Sequence, residues 1–283
     1  MIDVTELLEP KTVLMPGYTV VDHLCRNEAT DIYDVWSEER ACRCVAKVVR
    51  PDRAGEERPR ERLLREGRLL QTFTHPHIVR AYETVETPQP IVILEALTGD
   101  TLERIIEDPQ QRLTLVELVW LGLHLCSALH YLHGRGVLHL DIKPGNIIAE
   151  HGMAKVLDLS LAGPPGPGVR GRGTRGYLAP EQARGGMLTE ATDVWGLGVT
   201  LFEATTKALP FHPKSRSEHT ALTDTKMSLR ARRRVPKLFA TSVEACLQPE
   251  PEQRPTIADL VTPLTELLHD RGLPAPHEPW TAR

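Results

Sequence analysis

Short runs rich in β-branched and aromatic residues recur through the first third of the chain. They are Tyr18-Thr19-Val20-Val21, Ile32-Tyr33-Asp34-Val35-Trp36, Arg43-Cys44-Val45-Ala46-Lys47-Val48-Val49 and Ile91-Val92-Ile93-Leu94. Runs of this length and composition predict strands. One stretch departs from them: near Arg60–Gln71, Leu63, Leu69 and Leu70 mark the buried side of a helix. From Thr101 onward helical spacing dominates. Leu118, Leu121, Leu125, Leu129 and Leu132 predict a helix over Leu118–His133, which Gly134 and Gly136 then stop. Two more short strands, Ile147-Ile148-Ala149 and Ala154-Lys155-Val156-Leu157, flank a predicted turn at His151-Gly152.

That hairpin carries chemistry at both ends. Before it stands His139-Leu140-Asp141-Ile142-Lys143-Pro144-Gly145-Asn146, and after it Asp158-Leu159-Ser160. A carboxylate, an ammonium and an amide in one short run, with a second carboxylate beyond the hairpin, suit the hydroxyl, phosphate and metal of a phosphoryl transfer. An Asp, Lys and Asn this close would otherwise read as a polar turn. The flanking elements favour a site.

At these residues the chain resembles the eukaryotic-type (Hanks-type) protein kinase family, as a divergent, bacterial-looking member, from about Tyr18 to about Leu268. The resemblance implies an α+β, bilobal fold: a small β-rich N-lobe with one main helix and a larger α-helical C-lobe. It implies an N-terminal extension over 1–17, N-lobe and hinge over 18–97, C-lobe over 98–271 and a proline-rich tail over 272–283. In this family the first Asp accepts the substrate hydroxyl proton, while the Asn and the second Asp hold magnesium. Those roles fall to Asp141, Asn146 and Asp158. Lys143, followed by Pro144, resembles the serine/threonine branch. Small-molecule kinases of the same fold usually lack it.

Further matches extend the resemblance. Cys44-Val45-Ala46-Lys47 resembles the family's Val-Ala-Ile-Lys strand through Lys47, which would meet the α- and β-phosphates of ATP. Its expected partner is Glu66, with Glu61 as the alternative. Glu95-Ala96-Leu97-Thr98-Gly99 falls where the family binds the adenine edge, with Leu94 limiting the depth of the pocket. By the same resemblance Ile32, Ala46, Leu94, Glu95, Leu97 and Ile148 contact the nucleotide together with Lys47, Asn146 and Asp158. Thr174 fits the residue that hydrogen-bonds the catalytic Asp and Lys. Ala179-Pro180-Glu181 resembles the family's Ala-Pro-Glu, Arg254 its buried partner, and Asp193-Val194-Trp195-Gly196-Leu197-Gly198 the central helix whose Asp holds the catalytic loop.

The departures are as informative. Where the family has Gly-x-Gly-x-x-Gly-x-Val, this chain has Cys25-Arg26-Asn27-Glu28-Ala29-Thr30-Asp31-Ile32, without a glycine. A loop with side chains approaches phosphates less closely and resists left-handed backbone. Losing one or two backbone hydrogen bonds at ~1.5–3 kcal/mol each would weaken ATP roughly ten- to several-hundred-fold, before repulsion from Glu28 and Asp31. Leu140 stands in place of the arginine that pairs with a phosphorylated activation loop. The segment Leu161–Leu178 is glycine- and proline-rich, and Thr174 is its only hydroxyl besides Tyr177. Activity independent of loop phosphorylation is therefore expected. Ser160, in place of the Asp-Phe-Gly glycine, is expected to restrict the turn at Asp158.

Composition fits without deciding. The chain has 283 residues, 41% hydrophobic and 25% charged, enough for two lobes. A net charge of −4 argues against bulk nucleic-acid binding. The basic run Arg230–Arg234 reads as a solvated face or as a dock for an acidic partner. Five cysteines form no disulfide framework or zinc pattern and suit a reducing cytoplasm. Cys42 and Cys44 are expected on alternate faces of a strand, which argues against joint ligation, and His75-Pro76-His77 is read as a turn. No apolar run is read as reaching the ~20 residues that cross a membrane. Three functions follow: an ATP- and Mg2+-dependent protein serine/threonine kinase, a pseudokinase serving as a binding or allosteric module, and, less favoured by Lys143 and Thr174, a small-molecule kinase.

Overall fold

The computed structural model describes residues 7–150, 152–211 and 227–273. The first six residues, His151 of the predicted turn and the tail beyond Leu273 lie outside them. The chain forms two compact units, one of Met1–Thr98 with Asp158–Ser160, the other of Gly99–Leu157 with Leu161–Arg283.

The first unit is built on a six-stranded antiparallel sheet. Its strands are β1 (Val13–Met15), β2 (Tyr18–Arg26), β3 (Thr30–Ser37), β4 (Cys42–Val49), β5 (Ala81–Val85) and β6 (Ile91–Glu95), in the order β1-β2-β3-β4-β6-β5. One face is packed with Val20, Tyr33, Val35, Cys44, Ala46 and Ile93. The single long helix, α1 (Glu57–Thr72), packs chiefly on β5 and β6. Gly67 permits this: a Cβ there would stand 2.4 Å from Thr84 Oγ1 and 2.7 Å from Val92 Cγ2.

Two expectations for this unit need correction. Val13–Met15 pairs with β2, so part of the expected N-terminal extension belongs to the sheet. Cys42 and Cys44 share a face, because residues two apart on a strand point the same way. Burial, together with the neighbouring Cys42, pushes the Cys44 thiol up to about 11. Among the described residues no group of three or more His, Cys, Asp or Glu could hold a metal.

The second unit begins with β7 (Asp100–Thr101), α2 (Leu102–Glu107) and α3 (Leu115–His133), followed by the hairpin β8 (Ile147–Glu150) and β9 (Met153–Val156). It continues through β10 (Gly166–Pro167), α4 (Pro180–Arg184), β11 (Met187–Leu188), α5 (Glu190–Thr206), α6 (Leu229–Arg232), α7 (Lys237–Ala245) and α8 (Ile257–His269). A capping box starts α3: Thr114 Oγ1 accepts from Glu117 N at 3.3 Å, and Glu117 Oε2 accepts from Thr114 N at 2.6 Å. At 19 residues α3 is long and apolar enough by composition to cross a membrane, contrary to the reading of the sequence. It packs against α8, α5 and β9 as the central helix of this unit. The basic run divides: Arg230, Arg232 and Arg234 are exposed, while Arg233 turns inward to the carbonyls of Leu113 and Thr205 at 2.6 and 3.2 Å.

Candidate active site

In the first unit three charged groups converge from distant parts of the chain. Lys47 on β4 donates to both carboxylate oxygens of Glu66 on α1 at 2.8 Å each, and lies 3.4 Å from Asp158 Oδ2. Lys47 is 7% exposed and Glu66 2%. Burial alone would lower the lysine, but the charges of Asp158 and Glu66 hold it well above its ordinary value. Burial, reinforced by Asp158, pushes Glu66 up to about 7 against the pull of Lys47. One ammonium between two carboxylates leaves negative charge in excess.

The alternation of β4 sorts the residues around Lys47. Ile32 is its cross-strand partner on β3, and Leu94 is the partner of Val45, so Ile32, Val45 and Leu94 share its face. Ala46 does not. It was expected against the nucleotide, yet it is fully buried in the core on the opposite face. Val45 is the residue that strand alternation would have picked. The Glu95 side chain accepts from Arg80 N at 2.9 Å, and Leu97 is half-buried.

The hairpin between β2 and β3 closes without the strain expected of it. Asn27 N donates to Thr30 O at 2.8 Å, and none of Cys25–Thr30 has a positive φ. Asp31 faces the core side, opposite Ile32. Its carboxylate accepts from Arg26 Nε and Nη2 at 2.7 and 2.9 Å, so the repulsion assigned to it is neutralised and turned away from Lys47.

In the second unit a closed network surrounds Asp141. Its Oδ1 accepts from Thr174 Oγ1 at 2.7 Å and Thr174 N at 3.1 Å. Lys143 Nζ donates to Thr174 Oγ1 at 2.7 Å and lies 3.2 Å from Asp141 Oδ2. Asn146 Nδ2 donates to Asp141 O and Oδ2 at 2.9 and 3.1 Å, which leaves its carbonyl oxygen to face elsewhere. Ile148 lies half-buried just beyond, on β8.

The loop is pinned from below. Asp193, in the first turn of α5, accepts from His139 N at 2.8 Å and Leu140 N at 2.7 Å. Leu140 has φ 67°, a left-handed backbone that costs a leucine ~1–3 kcal/mol and persists only where its surroundings impose it. Gln182 Nε2 supplies a further clamp at Leu140 O, 2.9 Å away. Arg254 meets Glu181 in a buried two-pronged pair at 2.7 and 2.9 Å. Gln182 was not singled out in the sequence. Its position next to Ala179-Pro180-Glu181 was the available signal.

The protein kinase domain family matches residues 18–264. The chain belongs to that family. The serine/threonine-protein kinase PknB of Mycobacterium tuberculosis is 34% identical over 182 residues, which cover 59% of this chain and 29% of that protein. PkaA of Streptomyces coelicolor is 32% identical over 248 residues, 81% of this chain and 44% of its own length. PrkC of Bacillus subtilis is 32% identical over 181 residues, 60% and 27% respectively. The chain thus spans less than half the length of these relatives. The kinase fold class is α+β, with a β-rich N-lobe and a helical C-lobe.

Kinases of this family use ATP with Mg2+. Each unit offers a hard oxygen donor of the kind Mg2+ takes beside phosphate and water: the Asp158 carboxylate in the first and the Asn146 carbonyl in the second.

Proposed function

We propose that this kinase transfers the γ-phosphoryl group of ATP to serine or threonine of a protein substrate in the cytoplasm, with reduced ATP affinity and without an activation-loop phosphate. The closed network of Asp141, Thr174, Lys143 and Asn146 carries the reading, because it holds the proposed base and the polar groups around it in one hydrogen-bonded set. Asp141 takes the proton of the acceptor hydroxyl. Lys143 faces the transferring group, and Lys47, oriented by Glu66, meets the α- and β-phosphates. Asn146 and Asp158 would hold Mg2+, which supplies charge neutralisation along the phosphates when bound.

The glycine-free hairpin favours a second reading, a pseudokinase that binds nucleotide for allosteric or scaffolding ends. Retention of all six chemical residues favours transfer. Radiolabelled ATP transfer to the kinase itself and to a generic basic protein, wild type against Asp141→Asn, separates them. Removing the base should lower label by about 100-fold or more. Equal label in both proteins removes the transfer reading, and nucleotide-dependent thermal stabilisation without transfer establishes the pseudokinase.

A further inference from the structure

The third residue of Asp-Leu-Ser carries a side chain where the family has none, and that side chain is engaged. Arg62 on α1 donates from Nη2 to Ser160 Oγ at 2.8 Å and from Nε to the Ser160 carbonyl at 3.1 Å. Arg65 Nη2 donates to the same carbonyl at 3.0 Å. Ser160 N in turn donates to Asp158 Oδ1 at 2.7 Å, while Asp158 Oδ2 lies 3.4 Å from Lys47. Lys47 returns to α1 through Glu66, one turn after Arg62. A closed circuit results, running from α1 through Ser160, Asp158, Lys47 and Glu66 back to α1. Asp158–Ser160 groups with the first unit, although the residues on both sides belong to the second.

We propose that Arg62 and Arg65 are positioning residues: acting through Ser160, they fix the Asp158 turn and tie it to the helix that presents Glu66. Guanidinium-to-carbonyl and guanidinium-to-hydroxyl bonds are charge-assisted, and a planar fork that meets two acceptors on one residue restricts rotation as well as distance. A glycine at position 160 would offer only the carbonyl. With serine, the turn gains a second anchor and the backbone loses the freedom to reorient. The effect on transfer rests on the kinase reading above, whereas the circuit itself does not.

The test uses the full chain and four variants: Arg62→Ala, Ser160→Ala, their combination and Arg62→Lys. Ser160→Ala removes the hydroxyl without freeing the backbone. Two readouts are taken: amide hydrogen exchange over 158–161 in nucleotide-free protein, and the Mg2+ concentration for half-maximal transfer, separated from kcat. Arg62→Ala removes both of its charge-assisted hydrogen bonds to Ser160 and should speed exchange by about tenfold or more. Adding Ser160→Ala should change nothing further, Arg62→Lys should recover part of the protection, and half-saturating Mg2+ should rise several-fold. Unchanged exchange in Arg62→Ala, or effects of the two alanine substitutions that simply add, would overturn the proposal. Exchange is read without nucleotide, so a wild-type chain that transfers no phosphate would refute the kinase reading and leave the positioning test intact.

Discussion

Tyr177 donates its hydroxyl to Glu203 Oε2 at 2.5 Å. Burial pushes the Glu203 carboxyl above its ordinary 4.5, the hydrogen bond from Tyr177 opposes this, and the charges of Glu103 and Glu107 add to it. A carboxyl whose folded value is raised stabilises the fold fully below its unfolded value and loses that contribution as pH rises through the folded one. Glu203→Gln keeps an acceptor for Tyr177 and removes the charge. The wild-type Tm measured against this variant is therefore expected to fall as pH rises above about 4.5, and parallel Tm curves would show that the carboxyl is not raised. At this scale the sequence was legible for residue types and illegible for their sides. Lys47, Glu66, Asp141 and Thr174 were picked out through the resemblance to the kinase family, and the structure pairs Lys47 with Glu66 and Asp141 with Thr174. Ala46 and Asp31 were misplaced because a resemblance aligns positions, while the strand's period of two decides which face each position serves.

Among the elements, α1 is the one whose placement matters most, since it carries Glu66, Arg62 and Arg65 together. Gly67→Ala would drive a methyl group into Thr84 and Val92. Overpacking of this kind costs ~1–3 kcal/mol, and relief by lifting the helix would move Glu66 off Lys47. A lower urea midpoint with an unchanged m-value and a loss of transfer rate are expected. Unaltered stability and rate would mean that the sheet yields instead. β2, β3, β4, β6, β8 and β9 were readable from residue type, and α1 and α3 from hydrophobic period, whereas β1, β5 and β7 were not picked out. Nor was the short pairing of β10 with β11, since two residues carry no period. It pins Gly166–Pro167 to Met187–Leu188, and Gly171 N adds a bond to Gln182 O at 2.9 Å.

For the whole molecule, that pinned segment bears on regulation. Leu140 offers no anchor for a phosphate, and the segment is instead held by backbone pairing and by its bonds to α4 and to the chain that follows it. Phosphatase treatment is expected to leave transfer unchanged. A loss of activity that maps to a phosphosite within Leu161–Leu178 would contradict this. Nucleotide binding gives a second global readout. With Asp31 neutralised by Arg26, the missing backbone contacts and the charge of Glu28 are expected to weaken ATP, so titration should give an affinity weaker than low-micromolar. A low-micromolar value would show that the glycine-free hairpin still reaches the phosphates.

The sequence by itself determined many of the elements with a clear period, the kinase family, and the residues proposed for the chemistry. Tertiary structure alone decided how those groups are partnered. Lys47, Glu66 and Asp158 lie far apart in the chain, and Arg62 and Arg65 meet Ser160 across nearly one hundred positions. Local pattern records which residues are apolar and at what spacing. Charge neutralisation and hydrogen bonding depend on distances through space, and those exist only once the sheet, α1 and the Asp158 turn have packed together.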